Sequence, residues 1–217
     1  MRLRLVGLAL VAAVLAAGEA RAQTLRPTLS GSVVTTRVRS QSTSPFIGAG
    51  PAFLGQGALA IRRLKLTVSY LQGTLDPDGA LGASRPLVEG TVLFGVRALD
   101  WLTLETGPHA RAYTLTGGTE RWLFWELRAC AATAFVGSTV RGYAELWRAV
   151  AADVNVPESF DHAQGGEAGM ILRLGRSPLD ARVGYRIDHA VLHAVPGGGK
   201  RLETVDGVVI GVGFSWR

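Results

Sequence analysis

Beyond Gln23, hydrophobic and polar positions along the chain alternate with a period of two. Leu64, Leu66, Val68 and Tyr70 alternate with Lys65, Thr67 and Ser69. Val88, Val92, Phe94 and Val96 alternate with Glu89, Thr91, Gly95 and Arg97, and Ala181, Val183, Tyr185 and Ile187 with Asp180, Arg182, Gly184 and Arg186. Successive side chains of an extended strand point to opposite faces, so this period marks strands with one apolar and one polar face. The pattern predicts ten strands, over 28–38, 49–62, 64–73, 87–98, 102–114, 122–136, 140–151, 166–176, 180–188 and 203–216. Several are longer than the roughly five or six residues usual in globular strands. They suit the ~9–11 residues with which a tilted strand crosses a membrane.

The connections alternate too. Arg62-Arg63, Leu99-Asp100-Trp101, Gly137-Ser138-Thr139 and Arg176–Leu179 read as tight turns. Between them lie longer turn-rich stretches, Arg39–Gly48, Thr74–Pro86, Thr116–Arg121, Ala152–Gly165 and His189–Leu202. Short and long connections in alternation predict an all-β fold, an antiparallel up-and-down transmembrane β-barrel with both termini on the short-turn side. Ten strands fit the spacing best, and eight are the alternative.

The segment before Gln23 reads differently. A basic start, Met1–Arg4, precedes the apolar run Leu5–Ala17, and Ala20-Arg21-Ala22 sets small residues where signal peptidase reads. The run is short of the ~20 residues of a helical crossing. Residues 1–22 are therefore expected to be a cleaved signal peptide, and 23–217 a single barrel domain.

Charge separates the two strand faces. The polar phase carries Glu89, Arg97, Glu105, Arg111, Glu126, Arg128, Arg141, Glu145, Glu167, Arg173, Arg182 and Arg186. Lys65, Asp180 and Asp188 lie on the same phase, and Arg148 is the one charge of strands three to nine on the other. The polar phase is also rich in glycine (Gly95, Gly107, Gly169, Gly184, Gly207, Gly211, Gly213), as a narrow interior crowded by long Arg and Glu side chains requires. Aromatics of the apolar phase (Tyr70, Trp125, Phe135, Phe214, Trp216) fall toward strand ends, where interfacial girdles sit. Polar-in is the orientation these features favour, with a charge network filling a narrow lumen. A soluble periplasmic ligand-binding barrel is the same pattern turned inside out.

Composition narrows the function classes. At 47% hydrophobic and 18% charged residues the chain is too apolar for disorder. Its formal charge of +6 is scattered along the sequence, which excludes a nucleic-acid stripe. The single cysteine, Cys130, excludes an internal disulfide and CxxC-type sites. No motif calls for a cofactor, and none assigns a metal.

The last strand ends Gly211-Val212-Gly213-Phe214-Ser215-Trp216-Arg217. It resembles the glycine–aromatic–aromatic signal, here Gly211, Phe214 and Trp216, by which Gram-negative outer-membrane barrels are recognised for insertion. It departs in ending on Arg217 and in carrying Val209 at the usual upstream polar position. The resemblance implies a small outer-membrane β-barrel protein of unspecified subfamily, with outer-membrane lipid, lipopolysaccharide and the barrel assembly machinery as partners. The role we read for such a barrel is structural or surface-interacting, without an assigned substrate, with an enzyme as the alternative.

An enzymatic alternative rests on three histidines. His162, His189 and His193 fall in predicted outer loops or at their bases, and Asp161-His162 and Asp188-His189 are acid–histidine dipeptides. Outer-membrane proteases use an aspartate–histidine pair at the barrel rim, and outer-membrane lipid A deacylases a histidine–serine pair late in the chain. The chain resembles the deacylases in placing His189 at the top of its penultimate strand, but Ala190 and Val191 follow where a serine is wanted. Asp188, His189, His193 and His162 are the candidates for a rim hydrolase acting on lipid A or peptides.

Overall fold

The computed structural model describes residues 25–42, 45–79, 82–137, 139–193 and 199–215. The expected signal peptide and Trp216 of the insertion signal lie outside the described residues. Ten antiparallel strands form one closed barrel: β1 (Leu25–Gln41), β2 (Phe46–Ile61), β3 (Leu64–Pro77), β4 (Arg85–Leu99), β5 (Leu102–Leu115), β6 (Gly118–Val136), β7 (Val140–Val154), β8 (Ser159–Arg173), β9 (Leu179–His193) and β10 (Arg201–Ser215). Each strand pairs with its sequence neighbours, and β10 closes the wall on β1 from Thr28↔Ser215 to Gln41↔Leu202. Among the described residues no helix is long and apolar enough to cross a membrane.

The ten-strand barrel follows the sequence pattern, and the difference lies in strand length. Strands run from 14 to 19 residues, more than the ~9–11 needed for a crossing. The stretch Ala152–Gly165, expected as a loop, is mostly wall, because β7 continues to Val154 and β8 begins at Ser159. Thr116–Arg121 shrinks likewise to a two-residue turn at Thr116-Gly117, and β9 runs on to His193. The cause is a change of solvent along the wall. Near the loops the outward positions become polar, as at Asp161, His162 and Gln164, while Phe160 and Ala163 stay on the inner side. That reverses the sense of the alternation, and a bulge between Phe160 and His162 shifts its phase, without ending the strand.

Around the rest of the wall the outward phase is apolar. Phe53, Phe94, Leu127, Leu146, Ile210 and Val212 are each more than half exposed. They belong to a belt on the side of the short turns, bounded toward the loops by the outward cluster in which Tyr185 Oη and Arg39 Nη2 donate to Asp206, each at 2.8 Å. The inward phase holds the charges: Glu89, Glu105, Arg111, Glu126 and Asp188 are all buried. Arg148 is exposed on the outside. Two inner glycines are required by close approach, since a Cβ on Gly184 would overlap Tyr143 Oη and one on Gly95 would crowd Glu105 Cγ. In the turn after β2, Arg62 takes a left-handed backbone, φ 55°.

The belt sets a depth-dependent cost. Phe94→Arg, in the middle of the belt, is expected to destabilise the barrel by ~2–4 kcal/mol, and Thr204→Arg, beyond its upper edge, by only about 0–1 kcal/mol. Urea unfolding in lipid vesicles measures both, and equal costs would refute this placement of the belt.

Candidate functional site

The inner face of the wall is the largest organised polar surface of the chain, and it divides along the barrel axis into tiers. In the middle, Arg111 on β5 is the hub. Its Nε donates to Glu89 Oε1 at 2.7 Å, and its Nη2 donates to Asp188 Oδ2 at 2.7 Å. Arg186 bridges the same two acids, with Nη2 at 2.6 Å from Glu89 Oε2 and a second contact to Asp188 Oδ2. Trp147 Nε1 completes the set by donating to Asp188 Oδ1 at 2.9 Å. Four strands, β4, β5, β7 and β9, are thereby tied across the lumen. Arg111 is 2% and Asp188 1% exposed, so these charges depend on each other rather than on water.

Smaller groups flank the hub. Glu126 accepts from Arg128 at 2.8 Å and lies 3.0 Å from His109 Nδ1. Arg128 also reaches Glu145 at 3.2 Å. Arg182 donates to Glu167 at 2.7 Å and to Tyr143 Oη at 2.9 Å, and its guanidinium lies 4.4 Å from the Tyr143 ring centre. Lys65 pairs with Glu105 at 2.9 Å, and Arg173 with Asp180 at 3.5 Å. Of the twelve network residues named from sequence, Arg97 and Arg141 alone lack a partner of opposite charge among the described residues.

Toward the loops the lumen is apolar. One cluster gathers Val34, Val38, Phe46, Leu71, Leu87 and Tyr113 with residues of β10. The other gathers Trp122, Phe124, Trp147, Ala163, Ala190 and Leu192. Together they draw on all ten strands. Between them, Arg201 pairs with Glu120 at 2.7 Å and Glu203 at 3.2 Å, and Tyr113 Oη donates to Glu203 at 2.7 Å. This tier is absent from the sequence reading, which followed charge. Its signal was available: Trp122, Phe124 and Trp147 share the parity of Glu126 and Glu145 on their strands.

The candidate histidines face the other way. Asp188 is inside, locked by Arg111 and Arg186, whereas His189 is on the outer side of β9, with Nδ1 3.3 Å from Thr204 Oγ1 of β10. His162, paired in register with Val191, is also on the outer wall. Its Nδ1 is 3.3 Å from Asp161 Oδ2, and His193 Nε2 approaches the same oxygen at 3.5 Å. The rings of His162 and His189 are 6.4 Å apart. Asp188 and His189 therefore form no dyad. No group of three or more His, Cys, Asp or Glu among the described residues could hold a metal ion.

At the end that carries the short turns the lumen widens into a cavity of about 730 Å³, lined by Arg26, Arg97, Arg141, Lys65, Tyr143 and others. Cys130 lines it as well, its Sγ 3.5 Å from Glu105 Oε2.

Against known proteins, no family model and no curated sequence matches the chain. Solved structures do match. Outer membrane protease OmpT from Escherichia coli superposes with a TM-score of 0.57 at 6% identity, over 90% of this chain and 98% of that one. The chain has the fold of a Gram-negative outer-membrane β-barrel. Neisserial surface protein A (TM-score 0.39, 10% identity, covering 87% and 96%) and the translocator domain of autotransporter NalP from Neisseria meningitidis (0.43, 11%, 94% and 92%) align more loosely. With its apolar outer belt, the barrel belongs in the outer membrane.

Removing the hub should strand two acids. Arg111→Met is expected to cost ~3–5 kcal/mol, the usual penalty for breaking a buried ion pair. Arg39→Met, which breaks the exposed pair with Asp206, should cost no more than about 1 kcal/mol. Urea unfolding of the detergent-folded barrel compares them, and a small effect at Arg111 would show that water reaches the hub.

Proposed function

We propose that this outer-membrane barrel is closed to solutes and has a structural or surface-interacting role rather than that of a channel. The observation that carries this reading is the packing of the loop half of the lumen. Side chains from all ten strands meet there, and Trp122 and Leu192 are fully buried. Beneath them Arg111, Glu89, Asp188 and Arg186 pair across the bore, beside a cavity of about 50 Å³. Conduction needs a continuous wetted path with binding weak enough to leave it. Here an entering ion would meet first two apolar clusters with the paired Arg201, Glu120 and Glu203 between them, and then charges already satisfied by one another.

Contact with lipopolysaccharide is part of the same reading. Arg37 and Arg39 of β1 and Arg148 of β7 are exposed on the outer wall, at or beyond the upper edge of the belt. Guanidinium groups at that height suit lipid phosphates. The assembly machinery would engage β10, whose Gly211 and Phe214 belong to the C-terminal signal.

A second reading, a rim hydrolase acting on lipid A or peptides, has one observation in its favour. Asp161 holds His162 and His193, and His189 meets a hydroxyl, that of Thr204, from the neighbouring strand. This supplies a carboxylate, imidazoles and a hydroxyl on the outer wall above the apolar belt. It also directs any such chemistry away from the lumen. OmpT is a protease by its description, but at 6% identity the likeness extends to the fold alone.

Two measurements test these readings. In planar bilayers the folded barrel is expected to give no steady conductance, and large stable channels would overturn the closed lumen. In lipid A deacylation and peptide-cleavage assays the wild-type barrel is expected to be inactive. Activity that His162→Ala or His189→Ala abolishes, with the folded gel shift retained, would establish the hydrolase instead.

A further inference from the structure

The inner face is packed unevenly. The loop half receives Trp, Phe, Leu and Val, whereas the turn half receives Ala58, Ala60, Ala132 and Gly213 beside its long charged side chains. Small residues leave space, and that space is the cavity of about 730 Å³ at the mouth. This is the size of a small-molecule site. In an outer-membrane barrel the short-turn end faces the periplasm, so the cavity is a blind vestibule: entered from the periplasm and stopped by the ionic belt.

Its charge is unbalanced. Six cationic side chains line it against three carboxylates. Of the carboxylates, Asp180 is held by Arg173 and Glu145 by Arg128. Arg26, Arg97 and Arg141, on β1, β4 and β7, have no carboxylate partner among the described residues. Three sides of the mouth thus carry guanidinium groups. Within a low-dielectric wall such a set concentrates anions, and the planar fork of arginine matches phosphate oxygens in pairs. Trp101, 54% exposed in the turn after β4, also lines the mouth and offers a ring face to the organic part of a ligand.

We propose that the vestibule is a binding site for a phosphate-bearing small molecule or headgroup presented from the periplasmic side, held by Arg26, Arg97 and Arg141. The ligand enters and leaves by one door, so the site serves capture or sensing rather than transport. Binding at the mouth is measured without conductance and stands apart from the closed-lumen reading, on which only the single door and capture in place of transport rest.

The test uses the folded barrel in nanodiscs of phosphatidylcholine, titrated with inorganic pyrophosphate by calorimetry. Saturable one-to-one binding is expected, with affinity reduced about tenfold or more in Arg97→Gln/Arg141→Gln, as for loss of two charge-assisted contacts. Arg121→Gln, at the loop end of the outer wall, should bind as the wild type does. A wild-type measurement guards against misfolding of the double variant. Cys130 is the chain's single cysteine and lines the same cavity, so pyrophosphate should slow its labelling by a small methanethiosulfonate reagent. Repeating the titration in phosphatidylglycerol nanodiscs separates the sources. Unchanged affinity indicates a soluble phosphate ester, and competition by the lipid indicates a headgroup. Absence of saturable binding in phosphatidylcholine discs would overturn the proposal. So would equal affinity for tricarballylate, or binding indifferent to the double substitution.

Discussion

A wall that stands in lipid must find every backbone hydrogen bond within itself, and the seam between β1 and β10 is where this chain meets that demand. Hydrocarbon offers no partner to an unpaired N–H or C=O, so an open sheet edge there would cost several kcal/mol per group. Pairing from Thr28↔Ser215 to Gln41↔Leu202 leaves no such edge. Closure in turn fixes the number of strands around a bore of set width, and that bore has to be filled, paired or flooded. The rest of the molecule is the answer given at each height.

In the middle the answer is ionic. Burying Arg111, Glu89, Asp188 and Arg186 carries a large desolvation cost, and such sets are often no more stable than an apolar core of the same volume. They do fix geometry. Asp188 takes hydrogen bonds from Arg111 and Trp147 on two other strands, and a slip of one strand by one residue would turn its contribution outward and leave partners unpaired. An apolar tier tolerates slippage better than a set of interlocked donors and acceptors. The belt therefore specifies register across a lumen that the backbone ladders alone define only between neighbours.

Which parts of this were legible depended on how each face meets its surroundings. Where lipid lies outside and charge inside, as at Val92 and Phe94 against Glu89 and Thr91, the alternation is strong and the strand was readable. Above the belt, water is outside and apolar side chains are inside. At Phe160–Gln164 the pattern then weakens, and a bulge between Phe160 and His162 shifts its phase. A strand there looks like a loop. The histidines stand on the same kind of wall. In a loop His162, His189 and His193 could have turned toward Asp188, but on a wall the parity of the strand sends them outward. The inner aromatics Trp122 and Trp147 carried the parity of the charges, yet aromatic residues on a barrel strand suggest lipid first.

The uneven filling of the bore makes its two ends chemically different. Large apolar side chains fill the loop half among the described residues, beneath a polar outer wall. Alanine and glycine leave the turn half open, and arginines without acidic partners line it. Packing of the loop half alone would have sufficed to block the lumen, and acids opposite Arg26, Arg97 and Arg141 would have neutralised the mouth. The cations of the cavity outnumber its carboxylates, Asp100, Glu145 and Asp180, and Arg26, Arg97 and Arg141 form no ion pair among the described residues. Their arrangement is accounted for by an anion that comes from the periplasm.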